Sequence, residues 1–401
     1  MRDLDPSRGA SNDPFPRVVL STLWLTQSAG GMTNTIGKFK QALDADVVSF
    51  TDPRKLRSEG TGVTGAIHVP HSDTWWGRTY SWAPLTSRTE ADRLASNAQL
   101  FSCHSILRYH VNWMLSQVKA KPRPYWFVPH GVLDPWVFTY HRFSKRLWMS
   151  LLGDRFMRDA SRVIFATERE KAKARHIYSG DRGVVVPWPV SPIDLVDRPG
   201  LRHHCRCRLG IPENAKVILY LGRIHSLKRP LETIAAVAAT RVPDLHLVMV
   251  GPPDDVTARD CERRASSSNF SNLHLAGPAF GLDKLQYYAA ADALILLSHR
   301  ENFGHVVAEA VSCGLPIIAS HGIDLNEVFQ PLGCGWFVDI NDRAQVDQAL
   351  RDFCRCSDHA LRSMTAQASG WVRRELSMDK FTARIRAIAI DTVSEYAQAH
   401  A

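Results

Sequence analysis

The segment 298–320, SHRENFGHVVAEAVSCGLPIIAS, constrains the fold of this chain more than any other stretch. The apolar run 293–297 leads into it and has the length of a buried strand. Helical spacing then extends from about His305, Gly314 has the position that ends a helix, and residues 315–319 predict the next strand. Strand, loop, helix and strand form a parallel βαβ unit, whose ligand site lies at the carboxyl ends of the strands.

The loop and the helix start of this unit carry its polar chemistry. Glu301 lies in the loop, and Glu309 lies about one turn into the predicted helix, with seven residues between the two. A helix that begins near His305 leaves the amides from Gly304 to Val306 without helical acceptors, and such amides bind anions. An anion site flanked by two carboxylates suits a ligand with both phosphates and hydroxyls. A nucleotide sugar is such a ligand.

Length and composition indicate a globular protein of about two domains. The chain has 401 residues, of which 45% are hydrophobic and 22% are charged, and each half is long enough to bury its own core. No run approaches the roughly 20 apolar residues of a membrane span. Residues 1–16 lack the apolar core of a signal peptide and predict a disordered polar lead-in. The eight cysteines include Cys-x-Cys pairs at 205–207 and 354–356 but no CxxC pair, which favours reduced thiols in a cytoplasmic protein over a zinc site.

The excess positive charge lies in the first half of the chain. Residues 1–200 carry 27 Lys and Arg against 18 Asp and Glu, whereas residues 201–401 carry 22 of each. Within the first half, residues 138–159 combine basic and bulky apolar side chains. This stretch predicts either a basic amphipathic helix on an anionic membrane or a domain helix that buries its apolar stripe. Nucleic acid is not expected as a partner because no recognition motif accompanies the charge.

Strand-like and helical segments alternate along both halves. Strand-like runs occur at 17–25, 47–50, 66–69, 100–103, 125–128, 163–166 and 184–186, and again at 216–221, 245–250, 273–275, 293–297 and 315–319. This alternation predicts parallel, doubly wound sheets in an α/β protein. The Pro-rich passage 187–199 predicts the boundary between two Rossmann-like domains. We assign 17–190 to the N-terminal domain, 191–377 to the C-terminal domain, and 378–401 to a helix that returns to the first.

A second phosphate-binding signal follows the strand predicted at 216–221. The loop GRIHSLK at 222–228 places Arg223 directly after the strand and Lys228 at the start of the next helix. A guanidinium makes two parallel hydrogen bonds to phosphate oxygens, and an ammonium adds a compact charge. Alone, two such residues in a loop are usually surface charge, so their meaning depends on the segment 298–320.

Together the two segments resemble the C-terminal domain of glycosyltransferase family 4, a family of retaining enzymes with the GT-B fold. The match consists of G-R-x4-K at 222–228, E-x7-E at 301–309 and the lead-in ADALILLS at 291–298. The resemblance covers about residues 17–395 and is strongest over 216–340. It implies an α/β protein of two Rossmann-like, doubly wound domains that face each other across a cleft.

The resemblance also implies roles for individual residues. Arg223 and Lys228, beside Gly222, would hold the donor diphosphate. Glu301 would contact the transferring sugar, and Glu309 would hydrogen-bond the ribose hydroxyls unless it lies on a solvated helix face. The residues after Glu301 would complete the donor site, with backbone amides that bind phosphate oxygens; they are Asn302, Phe303, Gly304, His305 and Val306.

The first half carries weaker matches to the same family. Gly30 and Gly31 match its glycine loop, where missing side chains let the backbone approach phosphate or acceptor. His130 lies in PHGVLDPW, which resembles a segment of members that assemble bacterial surface polysaccharides. There this position faces the cleft, so His130 would hydrogen-bond a sugar hydroxyl or the leaving phosphate, with a structural role as the alternative. His104 has a similar strand-end position to His130, with a structural role as the alternative. Thr167 follows another predicted strand and matches a family position that borders the cleft, with a helix cap as the alternative.

The chain departs from the family pattern in two places. The sequence PWPVS at 187–191 replaces P-N-G-V-D, and HGIDLNE at 321–327 replaces the usual G-G-x-x-E, so Glu327 has no assigned role. No metal and no cofactor are expected. The Asp-x-Asp pairs at 3–5 and 44–46 lie in the lead-in and in a helix-to-strand loop, away from predicted strand ends.

We therefore interpret the chain as a hexosyltransferase-type glycosyltransferase in polysaccharide biosynthesis. It would move a sugar from a nucleoside-diphosphate sugar to a hydroxyl of a saccharide acceptor, with retention at the anomeric carbon. A lipid-linked acceptor is expected, at the inner face of a bacterial membrane. Two alternatives stay open: another GT-B enzyme, such as a sugar-nucleotide epimerase or a phosphorylase, and a non-catalytic nucleotide-sugar-binding assembly subunit.

Overall fold

The structure is a computed structural model that describes most of the chain. The described residues are 15–23, 25–26, 30–72, 74, 82–106, 108–139, 145, 148–191, 193 and 195–401, without the side chains of 53, 59, 151 and 152. The lead-in as far as residue 14, including the Asp-x-Asp pair at 3–5, lies outside the described residues. So do 140–144 and 146–147 within the basic stretch 138–159.

A seven-stranded parallel sheet forms the core of the first half, with strand order β3-β2-β1-β4-β5-β6-β7. Its strands are β1 Val18–Leu23, β2 Asp46–Thr51, β3 Ile67–Pro70, β4 Leu100–His104, β5 Tyr125–Val128, β6 Arg162–Phe165 and β7 Gly183–Val185. The helices of this half are α1 Gly31–Leu43, α2 Pro53–Glu59, α3 Thr89–Ser96, α4 Tyr109–Ala120, α5 Asp154–Asp159 and α6 Glu168–Ala174, with 3-10 turns at Leu85–Ser87 and Pro135–Thr139 and a π turn at Met149–Gly153. Strands such as β1 and β5 are buried along their whole length, as expected for parallel strands covered by helices on both faces.

A six-stranded parallel sheet forms the core of the second half, with strand order β10-β9-β8-β11-β12-β13. Its strands are β8 Lys216–Leu221, β9 Leu245–Val250, β10 Leu273–Gly277, β11 Ala293–Leu296, β12 Ile317–Ser320 and β13 Gly335–Val338. The helices are α7 Arg198–Leu209, α8 Pro230–Ala239, α9 Ala258–Ser267, α10 Lys284–Ala290, α11 His305–Ser312, α12 Asn326–Phe329, α13 Arg343–Arg355, α14 Asp358–Glu375 and α15 Met378–Ala399, with 3-10 turns at Ser226–Lys228 and Gly281–Asp283.

Both sheets reverse their strand order at one point. In the first sheet the reversal lies between β1 and β4, and in the second it lies between β8 and β11. Loops that leave these neighbouring strands in opposite directions open a crevice at the carboxyl ends, where doubly wound proteins bind ligands. The predicted fold class, two Rossmann-like parallel sheets, is confirmed.

The chain divides into two compact units. The first takes in the chain as far as Phe165, together with Lys173–Val186 and Phe381–Ala401, and the second takes in Ala166–Ala172 and Pro187–Lys380. Helix α15 packs into the first unit by polar and ionic contacts. Thr392 accepts a hydrogen bond from the indole of Trp126 at 3.0 Å, and Glu395 pairs with Arg162 at 2.7 Å. The predicted cleft stays a prediction.

The predicted elements differ from the structure mainly at their ends. Strand β1 covers Val18–Leu23 of the predicted run 17–25, and helix α1 begins at Gly31 with Gly30 as its N-cap. The hydroxyl of Thr33 donates to the carbonyl of Thr26 at 3.0 Å, so this threonine lies inside the first turn. In the described part of the stretch 138–159, Phe156 is 1% exposed and belongs to the core of the first unit, as expected for a domain helix. Among the described helices, none has the length and apolar character to span a bilayer.

Candidate functional site

Two loops at the reversal point of the second sheet hold most of the predicted donor-site residues. The first, 222–228, leaves the carboxyl end of β8, and the second, 298–304, leaves the carboxyl end of β11; we call them the Arg223 loop and the Glu301 loop. Because β8 and β11 are paired neighbours, the two loops start side by side. The backbone amide of His299 donates to the carbonyl of Leu227 at 2.8 Å and ties them together.

The Arg223 loop presents a guanidinium to solvent and an ammonium to the neighbouring loop. Arg223 is 52% exposed at its side chain and pairs with Asp254 at 2.6 Å, while its carbonyl accepts from the buried hydroxyl of Tyr220 at 3.0 Å. Lys228 lies in the 3-10 turn Ser226–Lys228, before α8 begins at Pro230, and not in the helix itself. Asp254 was not predicted, because it follows β9 and carries no motif.

Lys228 and Glu301 form an ion pair across the two loops. The Nζ of Lys228 lies 2.5 Å from Oε2 of Glu301, and both side chains are mostly buried. The backbone of Glu301 is fixed as well: its amide donates to the carbonyl of Gly322 at 3.0 Å, and its carbonyl accepts from the amide of Asp324 at 3.0 Å. The predicted sugar-binding carboxylate is therefore held by the segment that follows β12 and by the predicted phosphate-binding lysine.

Helix α11 begins at His305, as predicted, with Gly304 as its N-cap. The carbonyl of Gly304 accepts the amides of Val307 at 2.9 Å and of Ala308 at 3.2 Å. The amides of residues 304–306 therefore precede the first hydrogen bonds of the helix. Gly304 has a φ of 84°, and a Cβ at this position would lie 2.9 Å from Cγ2 of Ile323. A glycine is therefore needed to turn the loop into the helix.

The other residues of the Glu301 loop and those of the first turn of α11 differ in their burial. Phe303 is 3% exposed, so its ring belongs to the interior, 5.0 Å from the His305 ring, and only its backbone can meet a ligand. Val306 and Asn302 are half-buried. The Oδ1 of Asn302 and the hydroxyl of Ser298 are buried without a hydrogen-bond partner among the described residues. Such unpaired polar groups are the ones that a ligand or a water satisfies.

Glu309 is buried, and the alternative of a solvated helix face is wrong. Glu309 is 8% exposed, and its Oε2 accepts from the hydroxyl of Tyr288 at 2.6 Å and from Nζ of Lys284 at 2.7 Å. Both donors come from α10, an element that the sequence analysis connected to no ligand. The signal that could have found them is the i, i+4 spacing of Lys284 and Tyr288 on one helix face.

The reversal point of the first sheet holds a pair of histidines, of which His104 is buried and His130 is half-buried. The Nδ1 of His104 lies 2.9 Å from Nε2 of His130, and Nε2 of His104 lies 3.1 Å from the hydroxyl of Ser102. Burial, followed by the neighbouring His130 and His110, holds the pKa of His104 well below its ordinary value. Burial lowers the pKa of His130 to about 4, so both rings are neutral at pH 7. His130 has a φ of 54°, an unusual backbone conformation for a non-glycine residue.

Gly30 and Gly31 also lie at this end of the first sheet, after β1. Gly30 has a φ of 60°, and both glycines are exposed. The structure therefore brings the predicted residues together in two groups, one in each compact unit. Gly30, Gly31 and His130 lie after β1 and β5 and His104 ends β4, whereas Arg223, Lys228 and Glu301 lie after β8 and β11 and Glu309 lies in α11.

Thr167 and Glu327 each bind a backbone amide in the first turn of α6. The hydroxyl of Thr167 accepts the amide of Glu170 at 2.9 Å, so Thr167 caps α6 and the helix-cap alternative is confirmed. Glu327 accepts the amide of Glu168 at 3.1 Å through Oε1, and burial raises its pKa. Glu327 thus binds the first turn of α6, a role that the sequence did not indicate.

The cysteines and acidic residues do not gather around a metal in the described part of the chain. No group of three His, Cys, Asp or Glu side chains there could hold an ion, and all eight cysteines are free thiols. Asp44 caps the C-terminus of α1 and Asp46 is the first residue of β2, so both lie at the amino end of that strand. The expectation that the reaction needs no metal stays a prediction.

Comparison with known proteins gives consistent similarities. Residues 205–369 match the family model described as glycosyl transferases group 1. The D-inositol 3-phosphate glycosyltransferase of Geodermatophilus obscurus is 30% identical over 60% of this chain and 57% of its own length, so this chain spans less than two thirds of that relative. The protein of the same name from Salinispora arenicola is 28% identical over 97% of this chain and 95% of the relative. The crystal structure of HepE from Anabaena in complex with UDP and glucose has a TM-score of 0.73 at 16% identity and covers 93% of this chain and 99% of that one. The last similarity is one of fold.

Proposed function

We propose that the chain is a glycosyltransferase of the GT-B type that moves a sugar from a nucleoside-diphosphate donor to a hydroxyl acceptor, with retention at the anomeric carbon; the family-model match over residues 205–369 and the names of the relatives support this. The observation that carries the donor half is the contact of Lys228 with Glu301 beside the start of α11. A cation, a carboxylate and a set of helix amides are then available to one ligand with phosphates and hydroxyls.

The chemical problem in such a transfer is the departing diphosphate. The bond between the anomeric carbon and the phosphate oxygen breaks, and a bond from the acceptor oxygen forms on the same face of the sugar. The acceptor proton passes to the leaving phosphate oxygen, so no covalent nucleophile on the protein is required. Arg223, Lys228 and the amides at the start of α11 would stabilise the negative charge as it develops.

Two further residues would act on the sugar. We assign Glu301 to its hydroxyls and to the positive charge that develops at the anomeric carbon. We assign His130 to a sugar hydroxyl or to the leaving phosphate, following the PHGVLDPW resemblance. Its low pKa supports a neutral hydrogen-bonding role at pH 7 over that of a standing cation.

A thermal-shift panel of UDP, GDP and ADP, each with its sugar derivatives, tests the donor half. The matching donor is expected to raise Tm by mass action, because it binds only the folded state. HepE was crystallised with UDP and glucose, which makes UDP the first nucleotide to try. If no nucleoside diphosphate shifts Tm at millimolar concentration, the donor assignment is wrong.

A turnover assay then separates a transferase from its rivals. With the matching donor, release of the nucleoside diphosphate should depend on an added acceptor, and NMR of the product should show the anomeric configuration of the donor. Release that is independent of any acceptor hydroxyl would favour an epimerase, and binding without turnover would favour an assembly subunit. Glu301→Gln should lower turnover by about 10²-fold or more if this carboxylate acts in the transition state.

We propose a lipid-linked saccharide as the acceptor, at an anionic membrane face. The support is the basic first half and the PHGVLDPW segment. Flotation with vesicles that contain anionic lipid tests this: the protein should float with them and should stay behind with neutral vesicles or in 0.5 M salt. Absence of binding to anionic vesicles would remove the membrane argument.

A phosphorylated polyol is the second acceptor to test. The relatives from Geodermatophilus obscurus and Salinispora arenicola are both named D-inositol 3-phosphate glycosyltransferase, and a basic first half suits an anionic small molecule equally well. Inositol 3-phosphate and a lipid-linked saccharide, offered separately with the matching donor, distinguish the two proposals by which of them supports turnover.

A further inference from the structure

The side chain of Glu309 is held from one side only. Both of its donors, the hydroxyl of Tyr288 at 2.6 Å and Nζ of Lys284 at 2.7 Å, bind the same oxygen, Oε2. No hydrogen bond reaches Oε1 from the part of the chain that the structure describes. Two donors on one oxygen fix the rotation of a carboxylate, so the direction of Oε1 is set by α10.

The two donors are built into the helix. Lys284 and Tyr288 lie four residues apart on α10, so they project from the same helix face toward α11. Tyr288 is fully buried, and burial together with the Glu309 carboxylate holds its pKa well above the ordinary value. Its hydroxyl is therefore protonated at pH 7 and donates to the carboxylate.

A buried carboxylate needs hydrogen-bond partners, and a purely structural role would leave both of its oxygens bound. In Glu309, Oε2 accepts from the ammonium of Lys284 and from the phenol of Tyr288, whereas Oε1 can accept a hydrogen bond from a ligand. Neighbouring hydroxyls on a ribose ring can donate such hydrogen bonds. The arrangement fits a carboxylate that is prepared for a ligand better than one that only links two helices.

We propose that Tyr288 and Lys284 are positioning residues that aim Oε1 of Glu309 at the ribose hydroxyls and make donor binding depend on a ribonucleotide. This inference rests on the proposed function, in which Glu309 binds the donor ribose. Neither residue touches the ligand. Their effect is to fix the orientation of the group that does.

The test is a thermodynamic double-mutant cycle, in which the Tyr288 hydroxyl is removed from the protein and one ribose hydroxyl is removed from the ligand. Dissociation constants are measured by calorimetry for the nucleoside diphosphate that stabilises the protein best, and for its 2′-deoxy and 3′-deoxy analogues. The native chain should lose about 10-fold or more in affinity when the ribose hydroxyl bound by Glu309 is removed, since a hydrogen bond to a charged group is lost. In Tyr288→Phe that loss should shrink to about threefold or less, because Oε1 is no longer held in place.

Tyr287→Phe is the matched control. Tyr287 is the preceding residue and is buried too, but its hydroxyl accepts from Arg208 at 3.0 Å. Its removal should leave the ratio of ribo to deoxy affinity unchanged. Lys284→Met is the second variant and should shrink the ratio in the same direction as Tyr288→Phe.

The outcomes distinguish ribose binding by Glu309 from the positioning role of Tyr288 and Lys284. If Glu309→Gln keeps the native ratio, Glu309 does not bind the ribose, and the donor-site assignment fails together with the inference. If Glu309→Gln abolishes the ratio while Tyr288→Phe and Lys284→Met both keep it, the donor site stands and the positioning role is refuted. If Tyr287→Phe lowers the ratio as much as Tyr288→Phe, the effect is one of general packing and the inference is again refuted.

Discussion

Lys228 and Glu301 pair at 2.5 Å between the carboxyl ends of two neighbouring strands. Both residues are assigned to the donor, so in the absence of a ligand each compensates the charge of the other. A diphosphate brings its own negative charge to Lys228, and the lysine can then share its three N–H donors between phosphate and carboxylate. The same contact would hold the two side chains in place for the donor.

Lys228→Met should weaken diphosphate binding specifically. The methionine keeps most of the aliphatic stem but removes the charge, so the affinity for the nucleoside diphosphate should fall about 10- to 100-fold, the range for a hydrogen bond to a charged group. Affinity for the monophosphate of the same nucleoside should change much less. Calorimetry with both ligands checks this.

Lys216→Met is the control for this charge removal. Lys216 pairs with the exposed Asp358 at the start of β8, at the opposite end of the strand from the Arg223 loop. Its loss should leave both affinities within about twofold, because an exposed ion pair contributes little. Equal diphosphate binding by Lys228→Met and Lys216→Met would contradict the assignment of Lys228.

His104→Gln and His104→Asn test whether His104 orients His130. An asparagine amide can occupy the position of Nδ1, which contacts His130, whereas a glutamine amide can occupy that of Nε2, which contacts Ser102. We expect turnover to fall about 10-fold in His104→Gln, the effect of one lost hydrogen bond, and less than about threefold in His104→Asn.

If His104 only fills space in the core, His104→Gln and His104→Asn should behave alike. Equal turnover loss, accompanied by equal loss of thermal stability, would assign His104 to the core only. His130→Ala supplies the reference, with an expected loss of about 10²-fold if His130 acts on the reacting groups. Steady-state assays and thermal unfolding of all three variants check these expectations.

The apolar and glycine signals of the sequence predicted the two sheets and the Arg223 and Glu301 loops. Short apolar runs bounded by turn residues are typical of central parallel strands, and the helix start after Gly304 follows from a local turn that only a few residues can form. For this reason the predicted strands at 125–128, 216–221 and 245–250 coincide with β5, β8 and β9.

The contacts between elements were not predictable in the same way. His104 pairs in register with Val128 across β4 and β5, and this places it beside His130. The motifs of the first half did not indicate which strand ends lie beside each other or in which register. Likewise, the contacts of Glu309 with α10 and of Arg223 with Asp254 join segments that carry no shared motif.

His110 should make the first unit less stable in acid. Burial lowers the pKa of His110 to about 4, from an ordinary value of 6.5. Above pH 6.5 both the native and the unfolded states are neutral, so the stability contribution is complete there. As the pH falls from 6.5 toward 4, only the unfolded state takes up the proton, and stability falls by about 1.4 kcal/mol per pH unit for this group.

Urea unfolding at pH 7.5 and pH 5.5 measures the effect of His110. His110→Gln keeps a donor for the His104 carbonyl, which Nε2 of His110 contacts at 3.0 Å, but it cannot titrate. The loss of unfolding free energy between the two pH values should be smaller in this variant by about 1.4 kcal/mol. The exposed His203→Gln should reproduce the native pH dependence, and an unchanged loss in His110→Gln would contradict the prediction.

Gly304→Ala should impair donor binding beyond its effect on stability, and Gly314→Ala provides the comparison. The two glycines flank the same helix α11 with φ values of 84° and 75°, so each alanine variant should lose about 1–2 kcal/mol of unfolding free energy from the left-handed backbone.

Only at position 304 does the new Cβ meet a neighbour, 2.9 Å from Ile323, whereas at 314 the nearest atom is the Thr365 hydroxyl at 3.8 Å. Relief of that contact moves the amides at the start of α11, so diphosphate affinity should fall about 10-fold or more in Gly304→Ala and stay within about twofold in Gly314→Ala. Calorimetry and urea unfolding of both variants measure the two effects, and equal affinities in the two variants would show that these amides do not bind the phosphates.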